Sequence, residues 1–257
     1  MLCVTAAQRA GTTALDSALG ATGLFKNFGE ILQIEADHQA GNFFAYSKKA
    51  QLTLDFMREP KTVLAVIEDY FKYLNSLATR KIPLLDVKLN SWQVLRHAWS
   101  YPFEEPLLMR ALKDKNAAFV FILRRDLTGQ VLSEFIARRS QKWHDLQNSD
   151  LPPSFAAPVE LATHRALQII RTEKLMFGLL HRYPKSLFIA YEELYDDHGI
   201  APRVIDFLRA NFEVKMPDSI NIPIRKNEGD KQSVISNYNE VDSAIRQLSN
   251  EWDRLRL

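Results

Sequence analysis

The chain opens on an unbroken apolar run, Leu2 to Ala6 (LCVTA), followed by a polar turn and then by apolar positions at helical spacing from Thr12 to Leu19, closed by glycines. That order reads as strand, loop, helix. Similar runs stand at Leu84 to Leu89 (LLDVKL), Ala118 to Leu123 (AFVFIL) and Ser186 to Tyr191 (SLFIAY). They are too short and too uniformly apolar for amphipathic helices and fit buried parallel strands. Helical periodicity fills the intervals, at about Thr62 to Ala78, Glu105 to Asp114, Leu127 to Arg139, Val159 to His181 and Pro202 to Asn211, supplying the crossovers that parallel strands need. The alternation predicts a three-layer α/β/α fold around a mainly parallel central sheet. Two irregular segments, His144 to Pro158 and Lys215 to Asn239, carry prolines and read as loops able to cover a site. Neither an internal repeat nor a linker interrupts the pattern, so residues 1–257 are expected to form a single domain.

Composition narrows the function classes. A hydrophobic content of 46% can fill a large core, and a net charge of +2 provides no field that would by itself recruit nucleic acid or an anionic membrane. Any anion must therefore be gripped locally. The single cysteine, Cys3, cannot form an internal disulfide, and the longest apolar stretch, Ala117 to Leu123, is far below the roughly 18 residues of a membrane span. The expectation is a cytoplasmic protein without a membrane span.

The first loop has the position of a phosphate-binding loop. Between the first strand and the first helix lie Ala6, Ala7, Gln8, Arg9, Ala10, Gly11, Thr12 and Thr13. On the GxxxxGKS/T pattern, Gly11 falls on the second glycine and Thr13 on the hydroxyl, but Thr12 replaces the lysine and Ala6 the first glycine. Without that lysine, and with no evident acidic partner for magnesium, phosphoryl transfer is poorly served. Arg9 changes the chemistry. Backbone N–H groups of Ala10 to Thr13 at a helix N-terminus, two hydroxyls and a guanidinium make a nest for a tetrahedral anion without metal.

The stretch QRAGTTAL resembles the RSGTTxL or KSGTTxL element by which sulfotransferases dependent on 3′-phosphoadenosine 5′-phosphosulfate (PAPS) hold the 5′-phosphosulfate, with Ala10 in place of a hydroxyl residue. A second stretch, Phe121 to Arg138 (FILRRDLTGQVLSEFIAR), is similar to the family segment in which an arginine and a serine eight residues later grip the donor's 3′-phosphate. Here those would be Arg125 and Ser133. The wider text LRRDLTGQVLSxxxARxxxxW, ending at Trp143, resembles bacterial carbohydrate sulfotransferases of the trehalose 2-sulfotransferase kind. Tyr191 in IAYEEL is similar to the YEDL element near the nucleoside, and Arg225 and Lys226 in RKNEGDK to the RKGxxGDWK segment over the 3′-phosphate, with Asn227 replacing a glycine and the tryptophan missing.

The resemblance implies an enzyme of P-loop-like sulfotransferase fold that transfers a sulfuryl group from PAPS, with no metal, to a hydroxyl of a small-molecule or glycan acceptor. Arg9 is the candidate for stabilising the leaving group. Some family members use a histidine base and many carbohydrate enzymes a glutamate soon after the first helix. Glu30, in FGEIL after the turn at Gly23 and the short run Leu24 to Phe28, has that place if the run forms a second strand. It could instead be an acidic first-turn residue of a following helix. Lys88, at the end of a buried strand, could also face the site. A P-loop kinase would require a loop lysine and magnesium ligands; a non-catalytic nucleotide-binding module would leave Glu30 as a cap.

Overall fold

The computed structural model describes residues 1–100, 104–141, 151–196, 199–222 and 231–253, with side chains up to 248. Five parallel strands, β1 (Leu2–Ala6), β2 (Phe25–Glu30), β3 (Ile82–Lys88), β4 (Ala118–Leu123) and β5 (Ser186–Ala190), form one sheet in the order β2-β3-β1-β4-β5. The run before Glu30 is indeed a strand, on the sheet edge, with a register shift between Asn27 and Glu30 where Gly29 takes a left-handed φ of 63°. A short antiparallel pair, β6 (Tyr195–Asp196) and β7 (Gly199–Ile200), lies apart from that sheet.

Period-two side chains divide the core into two faces. On one, Cys3, Leu85, Val87, Phe119 and Phe121 pack against α3 (Pro60–Ala78), α4 (Leu107–Asp114), α5 (Leu127–Ser140), α6 (Val159–Leu180) and α9 (Tyr238–Asp253). On the other, Leu2, Val4, Ala6, Leu84, Val120 and Ile122 pack against α1 (Thr12–Ala21) and α7 (Pro202–Asn211). These are the three layers the alternation predicts. Helix α3 shows how sequence selects a face: Val63, Ile67, Tyr70, Phe71, Leu74 and Ala78 recur at helical spacing and are all buried. Truncating Phe71 to alanine in such a core costs about 3–5 kcal/mol.

Short helices α2 (Phe43–Lys49) and α8 (Lys231–Val234), and 3-10 turns at Ile34–Ala36, Leu54–Arg58 and Tyr191–Glu193, are the remaining helical elements of the described residues. Helix α8 falls within the stretch Lys215 to Asn239 that reads as irregular in sequence. Among the described residues, no helix is long and apolar enough to cross a membrane.

Candidate active site at the carboxyl edge of the sheet

All five strands end on the same edge, where open parallel sheets bind ligands. Each end delivers a polar group: Glu30 from β2, Lys88 from β3, the loop of residues 7–11 from the central β1, Arg124 and Arg125 after β4, and Tyr191 after β5.

The loop is held in an uncommon shape. Arg9 and Gly11 both lie in the left-handed region, with φ of 64° and 86°. A network from α5 and α6 holds the loop backbone and the Gln8 side chain. Arg124 Nη1 donates to the Arg9 carbonyl at 3.1 Å, and Gln130 Nε2 to the Gln8 carbonyl at 2.8 Å. Gln8 Oε1 accepts from Arg165 Nη2 at 2.9 Å, and Arg165 is in turn tied to buried Glu134 at 2.9 Å. Gly11 is required by space as well as by φ, since a Cβ there would run into the Tyr191 ring. Tyr195 donates to the Gly11 carbonyl at 3.2 Å from the same side. No side chain caps the N-terminus of α1, leaving its first-turn amides for an anion.

Cations gather beside those amides. Arg9 Nε donates to Ser133 Oγ at 3.4 Å, while the Arg124 guanidinium stacks 5.1 Å from the centroid of Tyr191. Burial, then the neighbouring Arg124, lowers the pKa of Arg9 from its ordinary value, which an anion at the loop would relieve. Arg124 Nε is buried without a hydrogen-bond partner among the described residues.

The other side of the loop is a buried charge cluster. Lys88 contacts Asp86 at 2.5 Å, Glu30 at 3.2 Å and the Thr12 hydroxyl, which itself donates to Asp86 at 2.7 Å. Burial alone would depress the Lys88 ammonium, but Asp86 and Glu30 outweigh it and hold its pKa above the ordinary lysine value. Glu30 is about one-third exposed, at 32%, and its pKa is raised, chiefly by loss of solvent, with Lys88 opposing.

Three of the expected site residues have partners within the chain. The Thr12 hydroxyl faces inward to Asp86 and Lys88, with the residue only 2% exposed, so of Thr12 only the backbone is available to an anion at the loop. Arg125 and Ser133 do not converge on one partner. Arg125 is ion-paired with Glu193, and Glu192 accepts from the amides of Arg125 and Asp126 at 3.2 and 3.3 Å, whereas Ser133 donates to the Gln130 carbonyl at 2.7 Å and accepts from Arg9. Arg225, Lys226 and Trp143 lie outside the described residues.

Sequence reading missed Asp16, Asp86, Arg124 and the Glu192–Glu193 pair as parts of this edge. The available signal for the first was Thr12 and Asp16, polar residues four apart on the helix that carries buried Leu15 and Leu19. Among the described residues, no cluster of three His, Cys, Asp or Glu side chains is placed to hold a metal ion.

No family model and no curated protein matches the chain. Among solved structures, it is similar to the sulfotransferase domain from the curacin biosynthetic pathway, at 13% identity and a TM-score of 0.48, covering 100% of this chain and 91% of that one. It is similar also to the sulfotransferase domain of the Synechococcus olefin synthase, at 13% identity and 0.45 over 98% and 94% of the two chains. A third is retinol dehydratase in complex with androsterone and inactive cofactor PAP, at 14% identity and 0.41 over 95% and 63%. At these identities and scores, the functional reading rests on this chain's own side chains.

Proposed function

We propose that the chain is a single-domain, cytoplasmic, metal-independent sulfotransferase that uses PAPS and a hydroxyl acceptor. The observation that carries this reading is the loop of residues 7–11. It offers uncapped helix amides and two guanidiniums to an anion, has no phosphate-loop lysine, and shares its sheet edge with the Glu30 carboxylate at the end of β2, two strands away.

The donor supplies the sulfuryl group, and 3′,5′-adenosine bisphosphate is what remains of it. The residues at the edge fit such a ligand: the first-turn amides of α1, Arg9 and the partnerless Nε of Arg124 suit its 5′ end. Arg125 suits the 3′-phosphate once its exposed partner Glu193 yields, and Tyr191 suits the nucleoside. Arg9 would hold negative charge as it grows on the departing phosphate, where a preorganised donor acts most strongly. Glu30 would accept the acceptor's proton during attack, because an alcohol is too weak an acid to ionise first. Its raised pKa suits that task, and a carbohydrate acceptor is what the resemblance of the 123–143 stretch and the place of Glu30 imply.

The direct test is incubation of the full chain with PAPS, excess chelator and a panel of sugar and non-sugar alcohols, following 3′,5′-adenosine bisphosphate by chromatography. Acceptor-dependent release supports the reading. Acceptor-dependent formation of ADP from ATP, requiring magnesium, with no bisphosphate formed from PAPS, would replace it by a kinase.

A further inference from the structure

Three carbonyls of the phosphate loop are taken up by side chains from elsewhere in the chain. The Gln8 carbonyl accepts from Gln130 Nε2 at 2.8 Å, the Arg9 carbonyl from Arg124 Nη1 at 3.1 Å and the Gly11 carbonyl from the Tyr195 hydroxyl at 3.2 Å. The donors stand on α5, on the turn after β4 and on β6, so three separate elements converge on one short loop. Packing holds each of them. Gln130 is 1% exposed, the Arg124 guanidinium stacks on Tyr191, and the Tyr195 ring meets Tyr191 edge-on at 6.1 Å between centroids.

In a trans peptide unit the N–H points opposite to the C=O. Holding the carbonyls of Gln8, Arg9 and Gly11 therefore aims the N–H groups of Arg9, Ala10 and Thr12, which belong to the same three units, away from the donors. The first two units have a further effect. They flank Arg9, whose φ and ψ are the rotations between them, and Arg9 stands at a φ of 64°, where a residue with a side chain is disfavoured. Fixing both planes fixes that conformation.

We propose that Gln130 and Tyr195, acting with Arg124, are positioning residues that turn the loop carbonyls inward and present its N–H groups to the 5′ end of the donor. The inference rests on the sulfotransferase reading of the site. Carbonyl oxygens facing an anion would repel it, whereas a loop whose carbonyls are engaged meets the anion with donors alone, oriented before charge develops on it. Arg165 extends the frame to the Gln8 side chain, donating to its Oε1 at 2.9 Å while itself tied to buried Glu134. Gln130 and Tyr195 thus act on the donor through the loop, without touching it.

Calorimetric binding of AMP and of 3′,5′-adenosine bisphosphate to the full chain tests this. Tyr195→Phe deletes one hydroxyl and keeps the ring; Gln130→Met keeps the length and loses the donor. Each should weaken both nucleotides by about three- to tenfold, the scale of one lost hydrogen bond, because both carry the 5′-phosphate. The ratio of the two affinities, which reports the 3′-phosphate alone, should stay as in the wild type. A ratio that collapses toward one would show a general deformation of the site and overturn the positioning role, as would unchanged affinity for both nucleotides in the folded variants. If Gln130→Met does not fold, Tyr195→Phe decides between the same outcomes. A wild type that binds neither nucleotide overturns the sulfotransferase reading and the inference with it; a wild type that binds both, with variants that bind them equally well, overturns the inference alone.

Discussion

The two sides of the phosphate loop are built differently. Toward β2 and β3, Thr12, Asp86 and Lys88 are at most 6% exposed and tied to one another, with Glu30 at their rim. Toward β4 and β5, Arg125 pairs with Glu193 at side-chain exposures of 65% and 45%, and Glu192 occupies the backbone amides of Arg125 and Asp126. The first side is tied together by its own side chains. The second is closed by acidic side chains in the places a phosphate would take, held by contacts worth about 0–1 kcal/mol at such exposure. Under the proposed function, proton transfer would rely on the fixed side and donor recognition on an exchange of anions at the other.

The sharpest break of the fixed side is Glu30→Gln, which keeps size and one acceptor oxygen but cannot take a proton. Turnover should fall by about a hundred- to ten-thousandfold while donor binding survives. In the wild type, kcat/KM should rise with pH through a value above the ordinary glutamate pKa of about 4.3, because burial raises Glu30 and the base must be ionised. Stopped-time assays across pH check both; full turnover in folded Glu30→Gln would leave Glu30 a strand-end carboxylate without catalytic function.

Arg9 sits between the two sides, and its loss should be next in size. Arg9→Ala should lower kcat by about a hundredfold, with weaker effect on binding of 3′,5′-adenosine bisphosphate, because the helix amides remain. A loss confined to binding would place the leaving group elsewhere.

The smallest change sharpens the comparison from the exchangeable side. Glu193→Gln removes the carboxylate that competes for Arg125, so affinity for the bisphosphate should rise by roughly fivefold or less, the scale of an exposed pair. Calorimetry reads this directly, and weaker binding would show that Glu193 helps hold the ligand.

The legibility of this architecture in sequence follows the same division. Strands β1, β4 and β5 stand out because parallel strands covered on both faces are uniformly apolar, and the loop after β1 is local chemistry on consecutive residues. The place of Glu30 at a strand end was legible once the run before it was read as a strand. Asp86 was not, because its bond to Thr12 depends on packing α1 over β3, 74 residues away in the chain. The partners of Ser133 were equally hidden: a spacing of eight from Arg125 says nothing of the bonds its hydroxyl makes to the Gln130 carbonyl and to Arg9. The inward turn of Thr12 likewise could not be read from a motif, which gives residue types without their partners.

The most direct test of the central claim is calorimetric binding of 3′,5′-adenosine bisphosphate and of AMP, in excess chelator, to the wild type and to Arg125→Ala. A charge-assisted phosphate contact is worth about 1.5–3 kcal/mol, so the bisphosphate should bind the wild type roughly ten- to hundredfold more tightly than AMP, and Arg125→Ala should erase most of that difference. Equal affinities in the wild type, or binding that appears only with magnesium and ATP, would contradict the account.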